Sequence, residues 1–362
     1  MIETNVTSRM PWRFLAALVA LALGLIFVAW SVTVMRDQEA PKLVIMVVAL
    51  VVGVLGVWGL YWINNYFVSL IPSEKIRSKL QPYIFLAPAL ILLVVFLLYP
   101  ALRTIYLSFF DDRSQNFVGL ENYEFAFTES AIQIAFRNNV LWLVNVTFFS
   151  VAIGLVFAFM VDRVRYESVA KSLIFLPLAI SFVGASVIWR FIYAFAPPGR
   201  PQVGLLNAVK VALGGEPVGW FIEKSINNYA LIVIMIWLQT GFAMVILSAA
   251  IKGVPPETIE AARIDGAGAT QVFFRVVIPQ IRGTIITVAT TILIAVLKVF
   301  DVVFVMTSGQ FDTEVIANRM YQEMFRFRNF GHGSALAVIL LVAVIPVMVL
   351  NIRNLRRERS LR

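Results

Sequence analysis

Long apolar runs separated by short charged segments are the dominant pattern of this chain. A helix needs about 20 mostly apolar residues to cross the roughly 30 Å hydrocarbon core of a bilayer. Eight stretches near that length carry few or no charges, and they cover residues 14–35, 43–72, 80–102, 138–161, 172–189, 225–251, 283–306 and 333–352. The pattern predicts an all-α membrane protein with eight transmembrane helices.

The composition supports the same class. Of the 362 residues, 60% are hydrophobic and 14% are charged, whereas globular domains are about 45–50% apolar and about 25% charged. A soluble body could not bury that much apolar surface, and disorder requires the opposite composition. The chain has no cysteine and one histidine, so neither a disulfide nor a metal site is expected.

The basic residues indicate the orientation. Lysine and arginine concentrate in the cytoplasmic loops of membrane proteins, and a cytoplasmic N-terminus places more than half of the 30 in cytoplasmic segments. Outer segments instead carry acids such as Asp111, Asp112 and Glu121. We therefore expect a multi-pass plasma-membrane protein with both termini in the cytoplasm. The net charge of +9 then reflects topology, and no nucleic-acid partner is expected.

The first two predicted helices form a separate part of the chain. A tight turn at residues 36–42 joins them, and a basic connector at residues 74–79 follows. The first apolar run is longer than the roughly 7–15 residues of a cleaved signal peptide, so we expect it to be retained. The sequence therefore predicts a two-helix extension over residues 1–79 and a six-helix core over residues 80–362.

The longest cytoplasmic connection, residues 252–282, has the signals of an ordered element. Pro256 suits the first turn of a helix, where the N–H that proline lacks would be unpaired. Gly266 follows an aspartate and predicts a turn. A second amphipathic stretch over residues 270–278 precedes Pro279, which we expect to end it. The connection should therefore fold as helix, glycine turn and helix.

The charges of this loop favour a protein partner over the lipid surface. A helix that lies on a membrane is rich in Lys and Arg on its polar face. Here Arg263 and Arg275 stand beside Glu257, Glu260 and Asp265. The mixture of acids and bases is more typical of docking against another protein.

The same loop resembles the EAA loop of permease subunits in binding-protein-dependent ABC importers. The match includes E-A-A-R-I-D-G-A at residues 260–267 and continues to Phe274, Ile278 and Pro279. Further segments resemble the carbohydrate branch, and they are F-V-G-L-E-N-Y at 117–123, F-L-P-L at 175–178, I-W-R at 188–190, F-D at 300–301 and T-S-G at 307–309. The resemblance covers roughly residues 80–362 and is closest to maltose-type F subunits, especially α-glucoside and glucosylglycerol permeases.

The resemblance implies a type I ABC importer permease fold, a bacterial inner-membrane location and a set of partners. These are a second permease subunit, two ATPase subunits that bind ATP and Mg²⁺, an extracytoplasmic solute-binding protein and a sugar substrate. No P-loop sequence occurs in the chain, so it is expected to be neither an enzyme nor a cofactor-binding subunit. The loop would be the coupling helix, and its contacts with an ATPase subunit would be Glu260, Ala261, Ala262, Asp265, Gly266, Ala267, Phe274, Ile278 and Pro279.

Polar and aromatic residues in the spans supply candidates for the substrate pathway, because such groups are costly in a membrane. An aromatic ring can stack on a pyranose, and an amide can bond its hydroxyls. Alignment with maltose-type permeases implies that Leu238, Gln239 and Phe242 contact substrate, although the residue types differ. The full set is Leu178, Ser181, Phe182, Trp237, Leu238, Gln239 and Phe242, and interhelical packing is the alternative role for each.

Two charges interrupt the seventh span. Lys298 and Asp301 are three residues apart, so a continuous helix would place them on one face. They would then line the pathway, or form an ion pair that fixes helix packing.

Other functions remain open on the residues alone. An ion-coupled secondary transporter needs a coupling site near the bilayer midplane, where only Lys298 and Asp301 offer charges. An ABC importer for a non-sugar solute is a second alternative, because the candidate contacts differ from those of maltose permeases. A membrane enzyme would need converging carboxylates or a metal site, and a purely structural subunit would have no use for a docking loop.

Overall fold

The computed structural model describes residues 10–37, 40–69, 73–162 and 164–359. The chain divides into two compact units, Met1–Leu102 and Arg103–Arg362. In the first unit, helices pack in chain order, and they are α1 (Met10–Arg36), α2 (Lys42–Ser69) and α3 (Glu74–Leu93). A π-helical turn, Val94–Leu98, continues α3 into α4 (Tyr99–Leu107).

The segment 74–79, predicted to be a connector, is instead the beginning of α3. Glu74 lies in its first turn, where a carboxylate interacts favourably with the positive end of the helix dipole. The charged residues therefore start the helix rather than interrupt it.

The second unit is built from helices alone in its regular structure, within the described residues. They are α5 (Glu121–Thr128), α6 (Ser130–Val161), α7 (Glu167–Phe175), α8 (Phe182–Ile192), α9 (Leu205–Ala212), α10 (Asn227–Lys252), α11 (Pro256–Ile264), α12 (Ala269–Val272), α13 (Ile278–Leu297), α14 (Asp301–Met306), α15 (Ile316–Tyr321) and α16 (Phe330–Arg359). Its largest core joins α6, α10, α13 and α14 through side chains such as Trp142, Met244, Ile292 and Val303.

Six elements of the described chain match predicted spans of the core. Five helices are long and apolar enough to cross a membrane, namely Glu74–Leu107, Ser130–Val161, Asn227–Lys252, Ala269–Leu297 and Phe330–Arg353. The pair Glu167–Ala179 and Phe182–Ile192 makes a sixth if it is counted as one broken span.

The two N-terminal spans stay predictions. The helices α1 and α2 have 27 and 28 residues, but the apolar stretches described within them, Ala22–Arg36 and Lys42–Val54, are shorter than a membrane crossing. The orientation also stays a prediction, and Arg9, Arg163 and Arg362, which contributed to it, lie outside the described residues.

The fifth predicted span is bent by 101° at its break and is not a straight helix. A 3-10 turn, Leu176–Ala179, follows α7 and contains Pro177, which cannot donate a helical hydrogen bond. Backbone at membrane depth must be paired or covered by protein. Gly241 of α10 allows that cover, because a Cβ there would lie 2.5 Å from the carbonyl oxygen of Ile174.

The second loop helix does not end at Pro279, contrary to the sequence prediction. A π-helical turn, Phe273–Val277, carries α12 directly into α13, whose second residue is Pro279. The i→i+5 bonding of such a turn shifts the carbonyl that a regular α-helix would place against the proline ring. The proline is therefore accommodated inside a continuous span.

The helices α6 and α10 cross closely. A Cβ on Gly154 would lie 2.6 Å from the Cβ of Ala243 and 3.0 Å from the backbone nitrogen of Met244. Small residues allow such an approach, and packing of this kind drives helix association in lipid. The pairing of glycine with alanine therefore sets the distance between the two central helices.

We expect Gly154→Ala to lower the melting temperature of the purified protein, although alanine is the better helix former by about 1 kcal/mol. The added methyl group has no room unless α6 and α10 separate. Gly53→Ala is the matched control, because a Cβ on Gly53 of α2 has no atom within 4 Å. An equal rise in melting temperature for both variants would contradict the close crossing.

Candidate functional site

The loop of residues 252–282 is an ordered helix–turn–helix element. At the end of α11, the N–H of Gly266 donates to the carbonyl of Arg263, and that of Ala267 donates to Ala262, each at 3.0 Å. This pair of bonds is a Schellman helix end. Gly266 adopts φ +82°, which glycine reaches without steric cost. The turn predicted at Gly266 is confirmed.

One face of the loop packs on the body of the second unit. Its buried cluster consists of Val254, Val272, Val277 and Ile281. Ala262, Ala267 and Ile278, three of the predicted contacts for an ATPase subunit, pack against this cluster. Their packing fixes the position of the loop.

The opposite face of the loop is open. The other predicted contacts are exposed, and they are Glu260, Ala261, Asp265, Gly266, Phe274 and Pro279. Ile264, which the prediction omitted, is 86% exposed, and Phe274 is 63% exposed. Large apolar side chains held on an ordered surface mark interaction sites. An isoleucine between Arg263 and Asp265 was the sequence signal for this exposed position.

The substrate candidates on α10 do not share one face. Trp237 and Gln239 are about 200° apart at roughly 100° per residue. Trp237 lies beside Trp189 of α8, with ring centroids 5.8 Å apart, and lines a cleft of about 370 Å³ between α6, α7, α8 and α10. Leu238 is 1% exposed within the core, and Phe242 packs against that core. The structure therefore separates Trp237 from Gln239 and Phe242.

The candidates on the fifth span lie at its break. Ser181 is the N-cap of α8, and its Oγ accepts a hydrogen bond from the N–H of Gly184 at 3.0 Å. Leu178 is half-buried in the 3-10 turn, and Phe182 is 37% exposed in the first turn of α8. Ser181 thus has a local structural role, and Ser181 and Phe182 are both exposed.

The structure corrects the interpretation of Lys298 and Asp301. They cannot share a helix face, because α13 ends at Leu297 and α14 begins at Asp301. Within the described chain, neither forms a salt bridge. Lys298 lines a largely apolar groove of about 510 Å³, and Asp301 lies at the positive end of α14. The mutual ion pair is wrong, and a pathway role stays a prediction.

The sequence analysis missed four asparagines that lie toward the N-terminal ends of α6 and α10. We call Asn138, Asn139, Asn227 and Asn228 the asparagine clasp. All four are buried, and they bond the backbone of residues 311–316, which follow α14. The sequence signal was two Asn-Asn pairs, each at the start of an apolar run.

Each helix contributes two clasp residues. From α6, Asn138 Nδ2 donates to the carbonyls of Asp312 at 2.7 Å and Glu314 at 2.9 Å, and Asn139 Oδ1 accepts from the N–H of Ile316 at 2.9 Å. From α10, Asn227 Nδ2 donates to the carbonyl of Phe311 at 2.7 Å, and Asn228 Nδ2 donates to that of Asp312 at 3.2 Å. The clasp therefore ties one loop to both central helices.

The clasped loop has an unusual backbone. Ser308, Phe311 and Asp312 have φ values of 51°, 56° and 63°, in the left-handed region. That conformation costs a non-glycine residue roughly 1–2 kcal/mol, and such strain persists only where the surroundings impose it. The clasp holds Phe311 and Asp312 in this conformation, because their carbonyls accept three of its hydrogen bonds.

Glu314 adds a buried carboxyl to this loop. It is 8% exposed and accepts hydrogen bonds from Asn318 at 2.6 Å, from the N–H of Val315 at 3.1 Å and from Gln322 at 3.1 Å. Burial raises the pKa of Glu314 above its ordinary value, although these bonds oppose the change. The stabilisation linked to this group is therefore lost as the pH rises through the raised pKa.

The sequence of this chain matches a known protein family. The family described as binding-protein-dependent transport system inner membrane component matches residues 142–357, from α6 into α16. The chain belongs to this family. Membership confirms the resemblance recognised in the EAA loop and excludes the alternative of an ion-coupled secondary transporter.

Two relatives are similar to this chain over most of its length. The osmoprotective compounds uptake permease protein GgtC of Synechocystis sp. is 61% identical over 278 residues, which cover 77% of this chain and 100% of the relative. The alpha-glucoside transport system permease protein AglF of Rhizobium meliloti is 47% identical over 330 residues, covering 88% of this chain and 98% of the relative.

Solved structures agree on the fold. A chain of a bacterial ABC transporter that imports the acidic polysaccharide alginate matches with a TM-score of 0.67 and 20% identity, covering 79% of this chain and 99% of that one. The same transporter in complex with an alginate pentasaccharide-bound periplasmic protein gives a TM-score of 0.68 and 21% identity, covering 78% and 96%. The type I ABC permease fold is therefore confirmed.

We expect Asn138→Ala to lower the melting temperature more than Asn145→Ala does. The first change removes the Asn138 donor from the Glu314 carbonyl and leaves the Asp312 carbonyl with Asn228 alone, at a cost of about 1–3 kcal/mol for a carbonyl that stays buried and unpaired. In the described part of the chain, the side chain of Asn145 donates to the carbonyl of Leu141 in its own helix and to no other element. Equal losses in the two variants would show that the clasp does not stabilise the fold.

Proposed function

We propose that this chain is one of two permease subunits of an ABC importer that moves a sugar into the cytoplasm by alternating access. The proposed substrate is an α-glucoside, a disaccharide or a glucosyl-polyol. The relatives are named for uptake of osmoprotective compounds and transport of alpha-glucosides, which supports a polyhydroxy solute. An importer for a non-sugar solute is the alternative that a substrate panel must test.

The exposed face of the 252–282 loop is the observation that carries the proposal. Glu260, Ile264 and Phe274 stand on an element whose other face is packed on the second unit. Such a surface suits a groove on an ATPase subunit, with apolar contact at Ile264 and Phe274 and a basic partner for Glu260. Movement of that subunit would reach the spans through α10 and α13, the two helices that flank the loop.

The remaining roles belong to partners. Two ATPase subunits would bind ATP and Mg²⁺ and hydrolyse the nucleotide, while an extracytoplasmic solute-binding protein would deliver the sugar. The 252–282 loop and both termini would then lie in the cytoplasm, and the asparagine clasp would lie at the outer face. Sugar would contact Gln239 and Phe242 on one face of α10, with Phe182 and Trp237 beside the break of the fifth span. Lys298, which follows the last residue of α13, would line the sugar pathway.

Ile264→Asn should weaken retention of the ATPase subunit about 30-fold, because burying an isoleucine contributes roughly 2 kcal/mol. The side chain is 86% exposed in the isolated chain, so its loss should leave the fold intact. Copurification of tagged complexes and sugar uptake by proteoliposomes measure the effect. Leu213→Asn is the matched control, since Leu213 is 83% exposed away from the loop. Normal retention in Ile264→Asn would refute docking through this face.

ATP hydrolysis by the reconstituted complex should rise only when the binding protein and a suitable sugar are both present. The measurement compares disaccharides with α- and β-linked glucose, glucosyl-glycerol, amino acids and polyamines. Stimulation confined to α-glucosides or glucosyl-glycerol would support the proposed substrate. Stimulation by amino acids or polyamines alone would leave an ABC importer but overturn the sugar.

A further inference from the structure

Four charged side chains meet where α6, α7 and α10 end or begin beside the 252–282 loop. Lys171 Nζ lies 2.6 Å from Asp162 Oδ1 and 2.6 Å from Glu167 Oε1. Lys252 Nζ forms a second ion pair with Glu167 Oε1 and lies 4.0 Å from Asp162 Oδ1. Ser248 Oγ donates to Asp162 Oδ1 at 2.6 Å. Two carboxylates and two ammonium groups thus balance in charge.

The inner and outer parts of this cluster differ in burial. The side chains of Asp162 and Lys171 are 11% and 20% exposed, whereas those of Glu167 and Lys252 are 30% and 50% exposed. Breaking a buried pair strands a charge and is strongly unfavourable, but an exposed pair contributes little. The Asp162–Lys171 ion pair is therefore expected to stay formed. The Glu167–Lys252 ion pair can break and re-form at a low free-energy cost.

The openable pair joins two parts of the chain that the transport cycle must connect. Lys252 is the last residue of α10. Gly253 and Val254 follow it in the 252–282 loop, and Val254 belongs to the buried cluster of that loop. Glu167 begins α7, the half-helix that ends at the break of the fifth span. The Glu167–Lys252 pair is therefore a direct link between the start of the 252–282 loop and the start of this half-helix.

We propose that the Glu167–Lys252 pair is a coupling latch between the docking loop and the broken span. The pair is closed in the nucleotide-free complex and must open when the ATPase subunits move the loop. Glu167 and Lys252 are positioning residues, since they act on the pathway through α7 and touch no substrate. This inference rests on the proposed function and adds to it the route by which loop movement reaches the break.

The first test removes one charge at a time in the full complex, with Glu167→Gln and Lys252→Met. Without the latch, ATP hydrolysis in the absence of binding protein should rise about two- to fivefold, the change expected from losing one exposed ion pair. The amount of sugar moved per ATP should fall, while retention of the ATPase subunits stays normal. Glu74→Gln is the control, because among the described residues Glu74 forms one salt bridge, an exposed 4.0 Å pair with Arg77.

These readouts separate the two proposals. Loss of the ATPase subunits from Ile264→Asn tests the docking face, whereas the latch variants are expected to retain them. Basal hydrolysis and sugar-to-ATP ratio both at the wild-type level in Glu167→Gln and Lys252→Met would overturn the latch.

The second test fixes the latch covalently. The chain has no cysteine, so E167C/K252C, assembled with cysteine-free partners, gives a unique pair for a short bis-thiosulfonate crosslinker. The crosslinked complex should keep its ATPase subunits but lose transport and stimulated hydrolysis, and a reductant should restore both to the level of the same variant before crosslinking. Normal turnover with the link in place would refute opening. Failure to crosslink in the nucleotide-free complex would refute the closed state.

Discussion

The close crossing of α6 and α10 supports the rest of the described second unit. Gly154 against Ala243 brings the two backbones together, and in lipid such packing replaces the hydrophobic driving force that holds soluble helices together. Gly241, on the same α10, receives the backbone of the broken span. Because α10 also ends at the docking loop and begins at the asparagine clasp, one helix fixes the break, the loop and the clasp relative to one another.

The two ends of α10 differ in what they leave unsatisfied. At the clasp, asparagine side chains of the same chain bond the backbone of residues 311–316, and of the four amide nitrogens only Asn139 Nδ2 has no partner among the described residues. At the 252–282 loop, Ile264 and Phe274 remain open to solvent, and the nearby ion cluster is only partly buried. A permease subunit that responds to partner subunits is expected to be rigid where it lines the substrate pathway. It is expected to be adaptable where it contacts those partners. The hydrogen-bonded clasp and the exposed loop surface provide these two properties at opposite ends of α10.

The sequence predicted those features that depend on neighbouring residues. The core spans follow from apolar runs, and the turn at Gly266 follows from the need for a left-handed residue after a helix. The sequence did not predict the clasp, because Asn138 bonds residues 174 and 176 positions away. It also grouped Trp237 with Gln239 by proximity along the chain, although a helix turns such neighbours to different sides. Pro279 was misinterpreted because a π-helical turn has no local sequence rule.

The clasp has a consequence for how the protein is made. The ribosome delivers the chain from its N-terminus, so Asn138, Asn139, Asn227 and Asn228 are synthesised before residues 311–316. The strained loop cannot reach its native backbone until α6 and α10 are already side by side, since only then are all its donors in place. Closing the loop is therefore a late event in biogenesis, and it reports that the two central helices have been inserted and paired correctly.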